Sequence, residues 1–125
     1  MSNYFSNLEK QKYMNLTTFR KTGAGVTTPV WFAQDGVGLV VITPANSGKA
    51  KRIRNNPRVQ VGPSDVRGNS LGESVQAQAR IMQGDETKHA EPLLAKKYGL
   101  RYQFFSLQWR LAGIKHLLIE ITPSA

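Results

Sequence analysis

Residues 74–82 alternate cleanly: Val75, Ala77, Ala79 and Ile81 fall on one side, Gln76, Gln78 and Arg80 on the other. Period two is the mark of a half-buried strand, and its small alanines predict a bulky neighbour packed close. The same period runs through Met14, Leu16 and Thr18, which predicts a strand over Tyr13–Arg20. Thr22-Gly23-Ala24-Gly25 is turn chemistry, and Val26–Phe32 reads as the next strand. Pro29 offers no N–H to a ladder, so an edge or a bulge is expected there. Asp35-Gly36 signals a hairpin. The third strand, Val37–Thr43, is apolar on both faces and therefore expected to be central. Arg58–Gly62 is the fourth strand, 74–82 the fifth and Ile114–Ile121 the sixth, with a polar loop at 63–72.

Helical spacing appears in three further places. Tyr4, Phe5 and Leu8 suggest a short leading helix within residues 2–12. A second helix runs from Asp85 to Tyr98, stopped by Gly99, with Pro92 expected to kink or restart it. Beyond it Tyr102, Phe105 and Trp109 recur at i, i+3 and i+7, one helix face whose ordinary role is core or subunit contact. Six short strands joined by turns, with helices inserted late, predict a mainly β chain closed into a small antiparallel barrel. One domain over residues 1–125 is expected.

The segment 43–58 stands apart. Lys49, Lys51, Arg52, Arg54 and Arg58 occur there with no carboxylate among them. Ser47 is a good N-cap and Pro57 forces an exit, so a short helix is expected after the third strand. A helix start gathers free N–H groups and the positive end of the dipole, and Lys49 and Arg52 share one side of it. The segment is a candidate seat for a phosphate or another compact anion; a solvated basic helix is the plain alternative.

Composition sharpens the choice of partner. Seventeen Lys and Arg against eight Asp and Glu leave a net charge of +9, which attracts anions generally: nucleic acid, a phosphorylated cofactor, or neither. No apolar run approaches the roughly 18–20 residues a membrane span needs, and residues 1–7 have no signal-peptide core. With no cysteine, thiolate chemistry and disulfides are excluded, and a cytoplasmic location is expected.

The chain offers little reactive chemistry of its own. His89 and His116 are isolated and expected to be structural or solvated, and no cluster suggests a metal. No acid–base pair or nucleophile elbow is present, so the catalytic residues are unknown. Gly23-Ala24-Gly25 precedes a strand, not a helix, and is no dinucleotide fingerprint. An enzyme built this way would orient a cofactor that carries the reaction. A barrel wall with a tryptophan, beside a cation-rich helix start, suits a flat ring attached to a phosphate.

Several segments in order carry a resemblance. They are Leu16-Thr17-Thr18-Phe19-Arg20, Thr28-Pro29-Val30-Trp31-Phe32, Thr43, Ser47-Gly48-Lys49-Ala50-Lys51-Arg52 continuing to Val59, Asp65-Val66-Arg67-Gly68, Lys97-Tyr98-Gly99-Leu100 and Ile119-Glu120-Ile121. Together they resemble the flavin-binding split-barrel family related to pyridoxamine 5'-phosphate oxidase, in the branch of F420-dependent oxidoreductases. The resemblance implies a six-stranded antiparallel split β-barrel that forms a homodimer, with cofactor grooves at the interface. The cofactor implied is FMN or the deazaflavin coenzyme F420. By position, Ser47, Lys49, Lys51 and Arg52 would hold its phosphate. Pro29, Val30 and Trp31 would line the ring, and Ile42 and Thr43 would flank ring and ribityl chain. The activity implied is hydride transfer between the ring and a small substrate or a nicotinamide. The oxidase proper carries an Arg-x-His near its end that nothing here matches, so oxidation of pyridoxamine phosphate is not expected.

Two other functions stay open at this level. The barrel could hold a flavin, haem or another flat ligand without turnover. It could also bind nucleic acid, with Trp31 and Tyr13 or Phe19 as stacking platforms, although no aromatic interleaves with the basic run at 49–58.

Overall fold

A computed structural model describes residues 4–124. Its seven strands form one antiparallel sheet: β1 (Tyr13–Phe19), β2 (Gly25–Val30), β3 (Phe32–Asp35), β4 (Gly38–Pro44), β5 (Arg58–Ser64), β6 (Val75–Ile81) and β7 (His116–Pro123). The order across the sheet is β2-β1-β5-β6-β7-β4-β3. The two edge strands, β2 and β3, are consecutive in the chain and separated only by Trp31. The edges must therefore meet at that residue, and the sheet curls into a barrel whose seam stays open.

This corrects the expected count of six strands. Val26–Phe32 is not one strand but two halves with different partners: β2 pairs with β1, while β3 pairs with β4. A residue pattern shows that a segment is extended, not which neighbour each half hydrogen-bonds. Pro29 does sit on an edge strand, opposite Asn15, where its missing N–H costs no ladder bond. The hairpin after Asp35 closes through Gly36 and Val37, with Gly36 at φ +61° in the first turn position, a conformation only glycine takes without strain.

The two apolar faces of β4 have separate uses. Leu39 and Val41 enter the barrel interior with Met14, Leu16 and Ile119, whereas Val40 packs outward against Ala90, Leu94 and Tyr98. Those outward partners belong to α2 (Asp85–Tyr98), which with α3 (Leu100–Leu111) covers that side. β4 is thus doubly covered, although it lies next to an edge strand and not at the sheet's centre. In β6, Ala77 and Ala79 are buried and Gln76, Gln78 and Arg80 exposed, and Ile53 of α1 (Gly48–Asn55) shares their core cluster. The alanines make room for that helix.

Two helical expectations change. The leader is a single 3-10 turn at Ser6–Leu8 whose Leu8, with Phe5, plugs the barrel; residues 2 and 3 lie outside the described residues. α2 runs through Pro92 without restarting, because burial of Ala90, Leu94 and Tyr98 on both sides of the proline holds the helix together. Among the described residues no helix is long and apolar enough to cross a membrane.

Candidate functional site

The seam at Trp31 opens on a cleft. A cavity of about 210 Å³ lies between the β2–β3 break (Pro29, Val30, Trp31), the end of β4 (Ile42, Thr43, Pro44), Lys49 at the start of α1, and Phe105 and Trp109 of α3. Its walls are mostly apolar and aromatic, and its one charged wall residue is Lys49.

The local sequence explains how that charge is placed. Ser47 caps α1 by accepting from the N–H of Ala50 at 3.2 Å, and it also accepts from the Thr43 hydroxyl at 3.1 Å. The cap ties the helix start to the cavity wall. It uses one of the free N–H groups of the first turn and leaves those of Gly48 and Lys49 for an anion or water. Burial lowers the pKa of the half-buried Lys49 ammonium, and the Arg52 charge beside it lowers it further. The Arg52 Nε donates to the buried Thr18 hydroxyl at 2.6 Å. Its guanidinium folds back over Gly48, where an added Cβ would stand 2.7 Å from Nη1. Two cations thus meet at the helix start, and among the described residues neither makes an ion pair with a carboxylate. Such a pair repels itself unless an anion joins it.

Tyr98 holds the aromatic wall. Its ring stacks on Trp31 with centroids 4.2 Å apart and planes 7° from parallel, while Phe105 meets Trp31 edge-on at 5.0 Å. The Tyr98 hydroxyl accepts from the Phe32 N–H at 2.9 Å and lies 2.7 Å from the Lys12 carbonyl oxygen. It therefore fixes the backbone immediately after the break. Burial raises the pKa of this phenol, so it remains a neutral, structural group.

Of the residues expected to contact a cofactor, Pro29, Val30, Trp31, Ile42, Thr43 and Lys49 come together on the cavity wall. Ser47 and Arg52 stand behind it at the α1 N-terminus, and Lys51 is exposed on the helix. Sequence reasoning missed Phe105 and Trp109 as wall residues and Tyr98 as the brace of Trp31. Spacing did place Tyr102, Phe105 and Trp109 on one helix face, but only Tyr102 enters the core. His89 is exposed, 3.4 Å from Asp35, and among the described residues no three His, Asp or Glu converge on a metal position.

The donor set fits a flat, phosphorylated cofactor. Indole and phenyl walls suit a ring, the Thr43 hydroxyl offers a polar contact, and a helix start with two cations suits a phosphate. The wall holds no acid–base pair, so what these side chains can offer a ligand is binding and orientation.

The chain is similar in shape to several solved structures. The haem storage protein HutZ from Vibrio cholerae superposes with a TM-score of 0.73 at 16% identity, over 96% of this chain and 87% of that one. A conserved hypothetical protein from Mycobacterium tuberculosis gives 0.69 at 20% identity, over 100% and 82%. A FAD-binding protein from Mesorhizobium loti gives 0.64 at 17%, over 96% and 84%. At these identities the likeness is one of fold. No curated protein matches the chain by sequence. The sequence profile described as pyridoxamine 5'-phosphate oxidase matches residues 3–124, nearly the whole barrel, and the chain therefore belongs to the pyridoxamine 5'-phosphate oxidase family.

Proposed function

We propose that this protein is an oxidoreductase that binds FMN or coenzyme F420 in the cleft at Trp31. The observation that carries the reading is the meeting of Lys49 and Arg52 at the start of α1, without a carboxylate, beside an aromatic cleft. Lys49 and Arg52 bind the cofactor phosphate by charge-assisted hydrogen bonds. Trp31, braced by Tyr98, sets the plane of the ring, and Ile42, Phe105 and Trp109 exclude water from it. The bound cofactor would supply hydride transfer between its ring and a small substrate or a nicotinamide. The protein's own contribution is orientation and a dry, positively charged setting.

A second copy of the chain completes this reading. Roughly 300–1,000 Å³ is typical of a cofactor pocket, and the cleft measures about 210 Å³, so a cofactor laid there keeps part of its surface uncovered. The outer side of α3 is also apolar: Leu100, Phe104, Leu107 and Leu111 fall on one stripe, opposite Tyr102 and Trp109, and all four are exposed. A helix apolar on both sides is normally covered on both. A homodimer that covers α3 and closes the cleft supplies both.

Cofactor binding without turnover is the second reading. It is favoured by the absence of an acid–base pair on the cleft wall, and two proteins of this shape are described as haem-storing or haem-binding. Nucleic-acid binding has less support. Phe19, one of the expected stacking platforms, is buried beneath the Arg58 guanidinium at 4.5 Å and is not free to stack on a base.

The test is an absorption spectrum of the purified protein, followed by titration with FMN, F420 and haem at one salt concentration. Saturable binding of FMN or F420, with reduction of the bound ring by a nicotinamide or transfer to an acceptor, supports the oxidoreductase. Binding without turnover selects the second reading. Failure of both rings to bind overturns the first.

A further inference from the structure

Behind Trp109 lies a second cavity, of about 360 Å³, walled by Ser106, Trp109, Arg110, Ile114, Lys115 and His116. No acidic residue lines it. We infer that this cavity binds a small organic anion, a carboxylate or a phosphate ester, one indole away from the cofactor cleft.

Three observations converge. First, Arg110 and Lys115 are unspent: among the described residues neither forms an ion pair with a carboxylate. They are not needed to cap α3 either. The carbonyls of Gln108, Trp109 and Arg110 already accept from the N–H groups of Ala112, Ile114 and Gly113 at 3.0, 2.8 and 3.2 Å. Gly113, at φ +73°, makes that turn possible.

Second, His116 is held in one orientation. Its Nε2 lies 2.9 Å from a Glu91 carboxylate oxygen, and the same oxygen accepts from the Tyr102 hydroxyl. With Nε2–H donating to that carboxylate, the ring serves the cavity as a fixed wall, and the donors for an anion are Arg110 and Lys115. A tyrosine and a glutamate that hold one histidine at a cavity wall are a positioning arrangement, since the ring of a solvated histidine would turn freely.

Third, Trp109 belongs to both cavities, and its ring lies 5.9 Å from that of His116. A ligand in the second cavity and a cofactor in the first would share the indole as a wall. If the cofactor reading holds, the anion is the charged group of the substrate that reacts with the ring; this role rests on that reading, whereas the anion site does not.

The test follows the Trp109 indole N–H by nitrogen-15 NMR in the full chain, with and without FMN, at constant ionic strength. Succinate and inorganic phosphate are the probes, and uncharged succinamide is the control. The expected result is a saturable shift with one of the anions, weaker by at least tenfold in Arg110→Gln/Lys115→Gln and unchanged in Lys49→Gln. The preferred probe identifies the class, carboxylate or phosphate. Both replaced side chains are exposed, and a thermal melt matching wild type confirms the fold. Four results overturn the inference: no saturable shift, an equal response to succinamide, an unchanged midpoint in the double variant, or a response lost in Lys49→Gln, which would put the anion in the first cleft. FMN binding is read separately by absorbance. An anion response without FMN binding leaves this site standing and removes the cofactor reading; FMN binding without an anion response does the reverse.

Discussion

Trp31 and Tyr98, 67 residues apart in sequence, stack with ring centroids 4.2 Å apart and planes 7° from parallel. The contact joins the open seam of the barrel to the last turn of α2. The hydroxyl of Tyr98 adds a second tie, because it accepts from the Phe32 N–H. Tyr98→Phe keeps the stack but leaves that buried N–H without a partner, which costs about 1–3 kcal/mol. Tyr98→Ala removes the stack as well and costs about 3–5 kcal/mol. Urea denaturation checks both. FMN affinity is expected to fall more in Tyr98→Ala than in Tyr98→Phe, since only the former frees Trp31 to turn.

The two cations at the start of α1 separate binding from folding. A hydrogen bond to a charged group contributes about 1.5–3 kcal/mol, so Lys49→Ala should weaken FMN binding by about tenfold to a hundredfold. Lys51→Ala, which alters an exposed side chain, should change it less than threefold, within about 0.6 kcal/mol. Equal losses in the two variants would mean that net charge, not the geometry of Lys49, attracts the phosphate.

Gly48→Ala gives a finer test of Arg52. The new Cβ would stand 2.7 Å from Arg52 Nη1, the far end of a flexible side chain, so the guanidinium moves aside at little cost. Stability is expected to stay within about 0.5 kcal/mol of wild type, while FMN affinity falls because the guanidinium no longer lies over the helix start. Calorimetric titration alongside a thermal melt reads the two effects separately.

Lys97 predicts a pH dependence. Its ammonium sits 3.5 Å over the Phe32 ring, and burial of the head group lowers its pKa from 10.5 to about 8, although much of the residue is exposed. The folded chain therefore gives up this proton near pH 8, whereas the unfolded chain holds it to about 10.5. Between those values the unfolded state binds more protons, so this group makes stability rise with pH there. Below pH 8 both states are protonated and the contribution is flat. Lys97→Met should remove the rise, as measured by melting temperature from pH 7 to 10.5.

The exposed stripe of α3 predicts assembly. Phe104 and Leu107 are 59% and 50% exposed, so on a monomer Leu107→Lys should alter stability by no more than about 0.5 kcal/mol. If a second copy covers the stripe, the same variant sediments as a monomer and binds FMN more weakly. Identical sedimentation of variant and wild type would remove α3 from the interface.

The strands, the basic helix and its cap were legible because each depends on neighbours in sequence. Alternation at 75–81 reports the pleat of one strand, Ser47 reaches only to Ala50, and the both-faces-apolar character of β4 states that two layers cover it. The break at Trp31 was not legible, because Val26–Phe32 is extended throughout and nothing local says that its halves join opposite edges of the sheet. Nor did Pro92 reveal that α2 would continue through it, since the packing that holds the helix comes from β3, β4 and β7.

The candidate site divides along the same line. The sequence alone determined a strand, a cap and a run of cations at 43–58, and with them a candidate seat for an anion: these are short-range facts of charge and backbone geometry. Only the tertiary structure decided that Lys49 faces the cleft and Lys51 the solvent, that Phe105 and Trp109 wall it, and that Tyr98 braces Trp31. Those relationships join β2, β4, α1, α2 and α3 across as many as 80 residues of chain, and they exist only once the two edges of the sheet have met.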